Sequence, residues 1–489
     1  MQQALPLALD LPQLFPSELT EANLLWKQYN DKLPKNLLRE QYYDAKNLFK
    51  NLGIAVPPEF EQLDWVLGWP AKAVDKLAAR IRHEGFDVPG GNVSAVEDIW
   101  AENKMDLGLR QGITSMLVHS CSFLAVTQGD TSRGEPDVLL SLGSALNSTG
   151  IWDPRLRALR SALMVTATDD YGAALELALF FPWVTIRAWR SSRDTAWLVW
   201  RIPNPTGRVL VEPLVFKPRI ERPFGYSRIT RAVRSITDNA LRTVVRGELS
   251  AEFFSAPQRY LMGADEAMFK DSDGNPISQW EAFIGRIFAV PMYEDPDGGQ
   301  HMPVAGTFPA SDPNAAQMYL RGLAQQFAGE TDIPVASLGV SQESNPASAD
   351  AIDASRDDLV YLAEDACDTV GAAVDRLMVS AVMLRDGRSD VPRSLRKLRS
   401  QWRNPRTYTR AAIADAGQKL IAAVPWLAET EVGLARLGLS KDEIERALAE
   451  RDAAQARLKA SQPAPEPSAP APDAAETDTA DAEDEATAA

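Results

Sequence analysis

From Arg321 to Leu384 the chain reads RGLAQQFAGETDIPVASLGVSQESNPASADAIDASRDDLVYLAEDACDTVGAAVDRLMVSAVML. A short helix-forming run leads into a loop punctuated by Pro334, Gly339 and Pro346, and then into a long stretch that only Gly371 interrupts. Asn345-Pro346-Ala347-Ser348 reads as a helix start. Asn345 can cap the orphan N–H groups, and Pro346 takes the first helical position, where its missing donor costs nothing. Beyond it Ile352, Leu359, Leu362, Ala366, Val370, Ala373, Leu377, Ala381 and Leu384 recur at mostly three- and four-residue steps, until Gly387 offers a left-handed stop. The spacing predicts a helix from Ala347 to Arg385, a rod of roughly 55 Å at about 1.5 Å per residue. Globular helices usually end after about 10 to 14 residues, so this stretch is read as architecture and not as chemistry.

Working outward, 489 residues allow two to four domains with ample core. Cys121 and Cys367 are the only cysteines, Met1 is followed by no basic leader, and the longest apolar run, Ala173 to Val184, is interrupted by Glu176 and Pro182. These features predict a soluble chain kept in a reducing cytoplasm, with no membrane partner. The net charge is −16, but residues 461–489 carry eight Asp and Glu and no Lys or Arg, which leaves −8 on the rest. That Ala- and Pro-rich tail buries too little apolar surface to order itself and is expected to be disordered.

Residues 18–87 read as helical, with Trp26, Tyr29 and Leu33 on one face, a break at Pro57-Pro58 and a second amphipathic run from Trp65 to Arg82. A further helix is expected over Val93 to Met116. Short β-rich runs follow at Leu117–Thr127, Arg160–Thr168, Val184–Trp189, Thr195–Trp200 and Val209–Phe216. Arg228 to Phe254 returns to helix, with Ile229, Val233, Ile236, Ala240, Val244 and Leu249 inward. Arg286–Tyr293 and His301–Phe308 then flank Glu294-Asp295-Pro296-Asp297-Gly298-Gly299, a hairpin signal with φ > 0 available at the glycines. Pro313 to Phe327 is helical again. A small β-containing insert therefore sits between two helices that can run antiparallel.

Catalytic vocabulary is missing. His83, His119 and His301 lie far apart, with no H-E-x-x-H, no paired C-x-x-C, no G-x-S-x-G and no G-x-x-x-x-G-K-[ST]. Asp271, Asp273 and Gly274 resemble the start of a calcium loop but supply only two carboxylates and no closing Glu. No catalytic residue, metal or cofactor is expected. A magnesium nuclease would need carboxylates converging on a strand end, whereas the acids here lie along a helix or in the tail.

Several stretches carry a family resemblance. Tyr319 to Val340 with Asn345-Pro346-Ala347-Ser348-Ala349, Gly68-Trp69-Pro70-Ala71-Lys72-Ala73-Val74-Asp75, Thr149-Gly150-Ile151-Trp152-Asp153, Gly225-Tyr226-Ser227-Arg228-Ile229, and Trp402-Arg403-Asn404-Pro405 followed by Ala414-Asp415-Ala416 resemble, in order, portal proteins of tailed bacteriophages with long non-contractile tails. The resemblance covers about residues 20 to 450. It implies an α+β portal fold assembled as a ring of about twelve copies at one capsid vertex. Through that ring a terminase motor drives double-stranded DNA, and a head-tail adaptor later joins the tail; the major capsid and scaffold proteins are further partners. It assigns 1–224 to a mixed α/β wing, 225–255 and 313–329 to stem helices, 256–312 to a small β-containing clip, 330–345 to a tunnel loop, 346–385 to the long wing helix and 386–460 to a helical crown. Assembly would take place in the host cytoplasm. The alternative is another phage head structural protein, an adaptor or minor capsid component, which would not need the helix, insert, helix order.

Within that plan, Ser341, Gln342, Glu343, Ser344 and Asn345 form a small polar tunnel loop suited to mobile contact with a duplex. Arg231 and Arg242 are candidate channel contacts, and Glu294, Asp295, Asp297 and His301 are candidate clip contacts with motor or adaptor. Arg385 to Arg410 holds nine Lys and Arg against Asp386 and Asp390. Two readings stay open for it: pairing with the acidic long helix through Asp350, Asp353, Asp357, Asp358, Glu364, Asp365, Asp368 and Asp375, or contact with packaged DNA. Trp26, Trp65, Trp69 and Trp100 are expected to fill core or subunit interfaces.

Overall fold

The computed structural model describes residues 9–46, 65–89, 91–254, 259–262, 293–294, 300–301, 304–307, 313–340, 356–406, 410–439 and 441–461. They fall into two units, 1–406 and 407–489. In chain order the first holds α1 (Pro16–Tyr43), α2 (Trp69–Ala78), β1 (His83–Asp87), α3 (Ser94–Glu102), α4 (Met105–His119), β2 (Cys121–Gln128), β3 (Val138–Ser144), β4 (Ser148–Asp153), β5 (Ala158–Thr168), β6 (Ala174–Phe180), β7 (Val184–Trp189), β8 (Leu198–Pro203), β9 (Val211–Val215), α5 (Arg231–Phe254), β10 (Arg259–Met262), β11 (Tyr293–Glu294), β12 (Gln300–His301), β13 (Val304–Thr307), α6 (Pro313–Thr331), α7 (Asp357–Arg385) and β14 (Arg399–Trp402). The second holds α8 (Arg410–Ala423), α9 (Glu431–Arg436) and α10 (Lys441–Ser461).

Two antiparallel sheets organise the first unit: a meander in the order β4-β5-β6-β7-β8 and a three-stranded sheet in the order β3-β2-β9. β2 is buried over its first six residues, so both its faces are covered. α1 begins at Pro16, and Phe15 N donates to Glu18 Oε2 at 3.0 Å. Its buried face, Ala22, Leu25, Trp26 and Tyr29, packs with Leu163, Leu177 and Ile186 of the meander. Polar bonds fix its rotation: Gln28 Nε2 donates to Thr149 Oγ1 at 2.9 Å and Gly150 O at 2.7 Å, and Asn36 Nδ2 to Ala145 O at 2.8 Å.

Helix α7 is buried on more than one side, through Leu359, Val360, Ala363, Ala366, Val370, Val374, Leu377 and Met378 among others. A helix apolar nearly all round belongs inside. Each fully buried Leu or Val contributes about 1.5–3 kcal/mol relative to exposure. Gly371 has a reason beyond tolerance, since a Cβ there would stand 2.9 Å from Trp402 Nε1, where β14 crosses the helix. Residues 346–355, where the sequence places the start of this helix, lie outside the described residues.

Three readings of local structure are corrected. The run from Val93 to Met116 is two helices, because Asn103 is held by β3. Its Nδ2 donates to Val138 O at 2.8 Å and its Oδ1 accepts from Leu140 N at 2.8 Å, and Lys104 turns the chain at φ +52°. The helix from Trp65 shortens to Trp69–Ala78, and residues 83–87 are strand, pairing antiparallel with β14 some 300 residues downstream. Leu117 to His119 close α4, so β2 starts only at Cys121, after Ser120 at φ +95°. β3, β4 and β6 add strands that the β-rich runs had not included.

The second unit is helical. Thr430 Oγ1 accepts from Gly433 N at 3.1 Å to start α9, and a Cβ on Gly433 would fall 1.7 Å from Leu427 O.

Candidate functional site

The pair α5 and α6 flanks the insert. Both are amphipathic, with Val233, Ala240, Leu241, Val245 and Leu249 buried on α5 and Leu323, Ala324, Phe327 and Ala328 on α6. Ile236 and Val244 are only half-buried, so the α5 seam is rotated slightly from the stripe read in sequence. The two helices run antiparallel. At one end Thr230 Oγ1 bonds to Glu330 Oε1 at 3.1 Å, and toward the other a Cβ on Gly247 would meet Ala316 Cβ at 3.6 Å. The insert leaves and returns at that second end; within it β10 pairs with β13 and β11 with β12.

Arg228 locks the opposite end. It is 5% exposed; its Nε donates to Ala73 O at 3.2 Å, its Nη2 to Thr331 O, and its Nη1 stands 3.9 Å from Asp332. Burial pulls its guanidinium down to about 10, against the pull of Asp332. One buried side chain therefore ties the start of α5, the end of α6 and α2 together. No such role for Arg228 is legible in sequence, because nothing marks which of several arginines near residue 230 turns inward.

Beside this junction lies a recess of about 590 Å³. Its wall is built from α1, the turn before α5 and the first turns of α5, and it collects Lys32, Lys35, Arg39, Arg222, Arg231 and Arg234. On α1 the cations repeat at i, i+3 and i+7, which places them on one stripe. Among the described residues Glu221 is the one acid in the lining. Lys35 is held below its usual ammonium range, first by the charge of Arg39 and then by burial, with Lys32, Arg222 and Arg234 adding to it. Arg39 is drawn down to about 10, chiefly by burial. Its Nη1 donates to Asn36 Oδ1 at 3.2 Å and to His119 O. His119, 2% exposed, falls to about 4 through burial and the Arg39 charge, while burial raises Glu40. The 2.9 Å contact between them is therefore a hydrogen bond from neutral imidazole Nε2 to Glu40 Oε2, not an ion pair. His119 Nδ1 is buried without a partner.

The structure separates the two arginines picked out as channel contacts. Arg231 is exposed and lines the recess, whereas Arg242, about three turns further along the same helix, is half-buried and bonds to Asn239 Oδ1. Glu294 and His301 lie on the paired strands β11 and β12; Asp295 and Asp297, like Ser341, Gln342, Glu343, Ser344 and Asn345, lie outside the described residues. His83 packs between Phe86, Trp100 and Trp402 at 4.7–5.4 Å, and burial lowers it to about 4. Among the described residues no three His, Cys, Asp or Glu stand together as a metal set. Sequence reasoning missed Lys32, Lys35, Arg39, Arg222 and Arg234 as a group, since they come from three separate stretches.

The basic stretch 385–410 meets acids of its own chain. Arg399 Nη1 stands 3.8 Å from Asp375 Oδ2, Arg406 Nη2 donates to Asp357 at 2.8 Å, and Arg403 Nε to Glu84 at 2.7 Å. Asp375, 8% exposed, also accepts from Ser400 N at 2.7 Å and Ser400 Oγ at 2.6 Å; burial raises its carboxyl against these bonds.

Comparison with known proteins places this geometry. Residues 22–457 match the family model described as phage portal protein, SPP1 Gp6-like. The chain is 32% identical over 396 residues to the portal protein of Mycobacterium phage L5, covering 78% of this chain and 77% of that one. It is 29% identical over 418 residues to the portal protein of Mycobacterium phage D29, covering 84% and 82%. Among solved structures, the neck of an empty GTA particle aligns at a TM-score of 0.43 and 14% identity over 76% of this chain and 89% of that one, a likeness too distant to add to the assignment.

Proposed function

Because the chain belongs to the phage portal family described as SPP1 Gp6-like, and so is a structural protein of the virion, we propose that its copies close into a ring of about twelve at one capsid vertex and conduct double-stranded DNA during packaging, retention and ejection. The observation that carries this reading is the antiparallel pair α5 and α6, pinned at one end by Arg228 and carrying the β-paired insert at the other. Two such helices per subunit line a channel, and an insert at their far end projects along its axis, where a terminase motor and a head-tail adaptor can engage it. In this reading 1–224 is the wing, 256–312 the clip, 330–345 the tunnel loop, and 386–460 the crown. Ser341 to Asn345 approach the duplex, and Glu294, Asp295, Asp297 and His301 meet motor or adaptor. Assembly takes place in the host cytoplasm with the capsid and scaffold proteins.

A conduit must let DNA slide, and every neutralised phosphate adds sequence-independent grip. The test is duplex binding by the purified full chain across a salt series. Binding that is weak and falls away at physiological salt is expected; tight retention there contradicts a conduit.

A further inference from the structure

The cationic recess at the foot of α1 and α5 is an unfinished surface. None of Lys32, Lys35, Arg39, Arg222, Arg231 and Arg234 has an ion-pair partner among the described residues. Their mutual repulsion shows in Lys35, which Arg39, Lys32, Arg222 and Arg234 all push down. At the floor, the buried Nδ1 of His119 is an acceptor without a donor. Like charges gathered in a partly enclosed site cost stability unless an anion is brought to them, because the interaction grows as water is excluded.

The same chain carries the complement. On the first half of α7, Asp358, Glu364, Asp365 and Asp368 are exposed and have no ion-pair partner among the described residues. Asp358, Tyr361, Asp365 and Asp368 follow at i, i+3, i+7 and i+10, one stripe matching in period the i, i+3, i+7 stripe of Lys32, Lys35 and Arg39. Tyr361, 62% exposed, stands within that acidic stripe.

We propose that the recess formed by α1 and the start of α5 receives the acidic stripe of α7 from a second copy of this chain. The proposal rests on the ring reading above, because a ring is built from heterologous contacts in which two different patches of one subunit meet on its neighbours. DNA is the poorer occupant. A duplex presents its phosphates on a convex cylinder, whereas half-buried Arg39 lies inside a recess that a protruding side chain can enter. Exposed cations such as Lys32, Lys35 and Arg231, left open to a duplex, would also grip it, which a conduit avoids.

The test uses the full-length chain and three variants: Lys32→Glu with Lys35→Glu, Asp365→Lys with Asp368→Lys, and all four changes together. All four positions are exposed, so circular dichroism should stay at the wild-type value and the melting temperature should not fall. Ring formation is read by native mass and negative-stain images at a fixed low protein concentration, alongside duplex binding. Each two-residue reversal is expected to lower the ring fraction at least about tenfold, and the fourfold variant, which restores opposite signs across the contact, to recover most of it. Rings that persist in both two-residue variants, or a fourfold variant no better than either, overturn the proposal while leaving the conduit reading intact. Intact rings with lost duplex binding in the Lys32→Glu, Lys35→Glu variant overturn it in favour of phosphate. A wild-type chain that forms no ring overturns both readings.

Discussion

The segment 385–410 and the recess at the foot of α1 hold comparable numbers of cations, yet the chain treats them oppositely. In the first, Arg399, Arg403 and Arg406 each find a carboxylate of the same subunit, and Arg385 and Arg388 pair with Asp386 and Asp390 at 3.0 Å each. In the second, cations from α1 and from residues 222–234 converge, and among the described residues a single acid, Glu221, lines the recess with them. Charge density along a sequence measures neighbours in the chain, whereas function depends on compensation in space. In the stretch that looked like an anion-binding surface five arginines are compensated within the subunit, whereas the recess joins α1 to residues some 190 positions away and is not read from one window of sequence.

The difference can be strained from both sides. The largest effect is expected at Arg228, next to the recess in sequence but turned into the core and bonded there to Ala73 O and Thr331 O. Arg228→Met strands Thr331 O, Ala73 O and Asp332 and should cost about 3–5 kcal/mol in chemical denaturation. A loss under about 1 kcal/mol would show that the junction is held by packing alone.

Next comes pH. His119 and His83 both titrate near 4 in the folded chain, against about 6.5 unfolded. Between those values the unfolded chain binds more protons, so stability is full above about pH 6.5 and falls as pH drops toward 4, by up to about 3 kcal/mol per histidine. His83→Phe, a change its aromatic surroundings accept, should flatten a large share of that slope in denaturation curves at pH 7 and pH 4.5.

Removing the buried acid of the compensated region comes third. Asp375→Ala leaves Ser400 N and Oγ without an acceptor and should cost about 2–3 kcal/mol. Asp357→Asn breaks only the half-exposed pair with Arg406 and should cost under about 1 kcal/mol, less still at high salt. Smallest is Lys35→Gln in the recess, expected within about 0.5 kcal/mol of wild type and on the stabilising side if like-charge repulsion dominates. A destabilisation by Lys35→Gln matching that of Asp375→Ala would erase the contrast between the two regions.

Much of the architecture was legible because it is local. The apolar period of α7, the hairpin signal at residues 294–299 and the helices on either side of the insert follow from spacing and turn residues, and β11 with β12, α5 and α6 stand where that grammar put them. Reading failed where a distant partner decides. Residues 83–87 become a strand only because 399–402 lie alongside, and the helix from Val93 breaks at Asn103 only because β3 takes its side chain. The same limit governs the site. Arg231 could be picked out on its helix, but Lys32, Lys35 and Arg39 join it only through the docking of α1, and Arg242, equally basic in sequence, turns back onto Asn239.

The most direct test of the account is the native mass of the purified full-length chain, with negative-stain images of the same peak. The account predicts a closed ring of about a dozen copies around a central hole. A compact dimer with no larger species would contradict it.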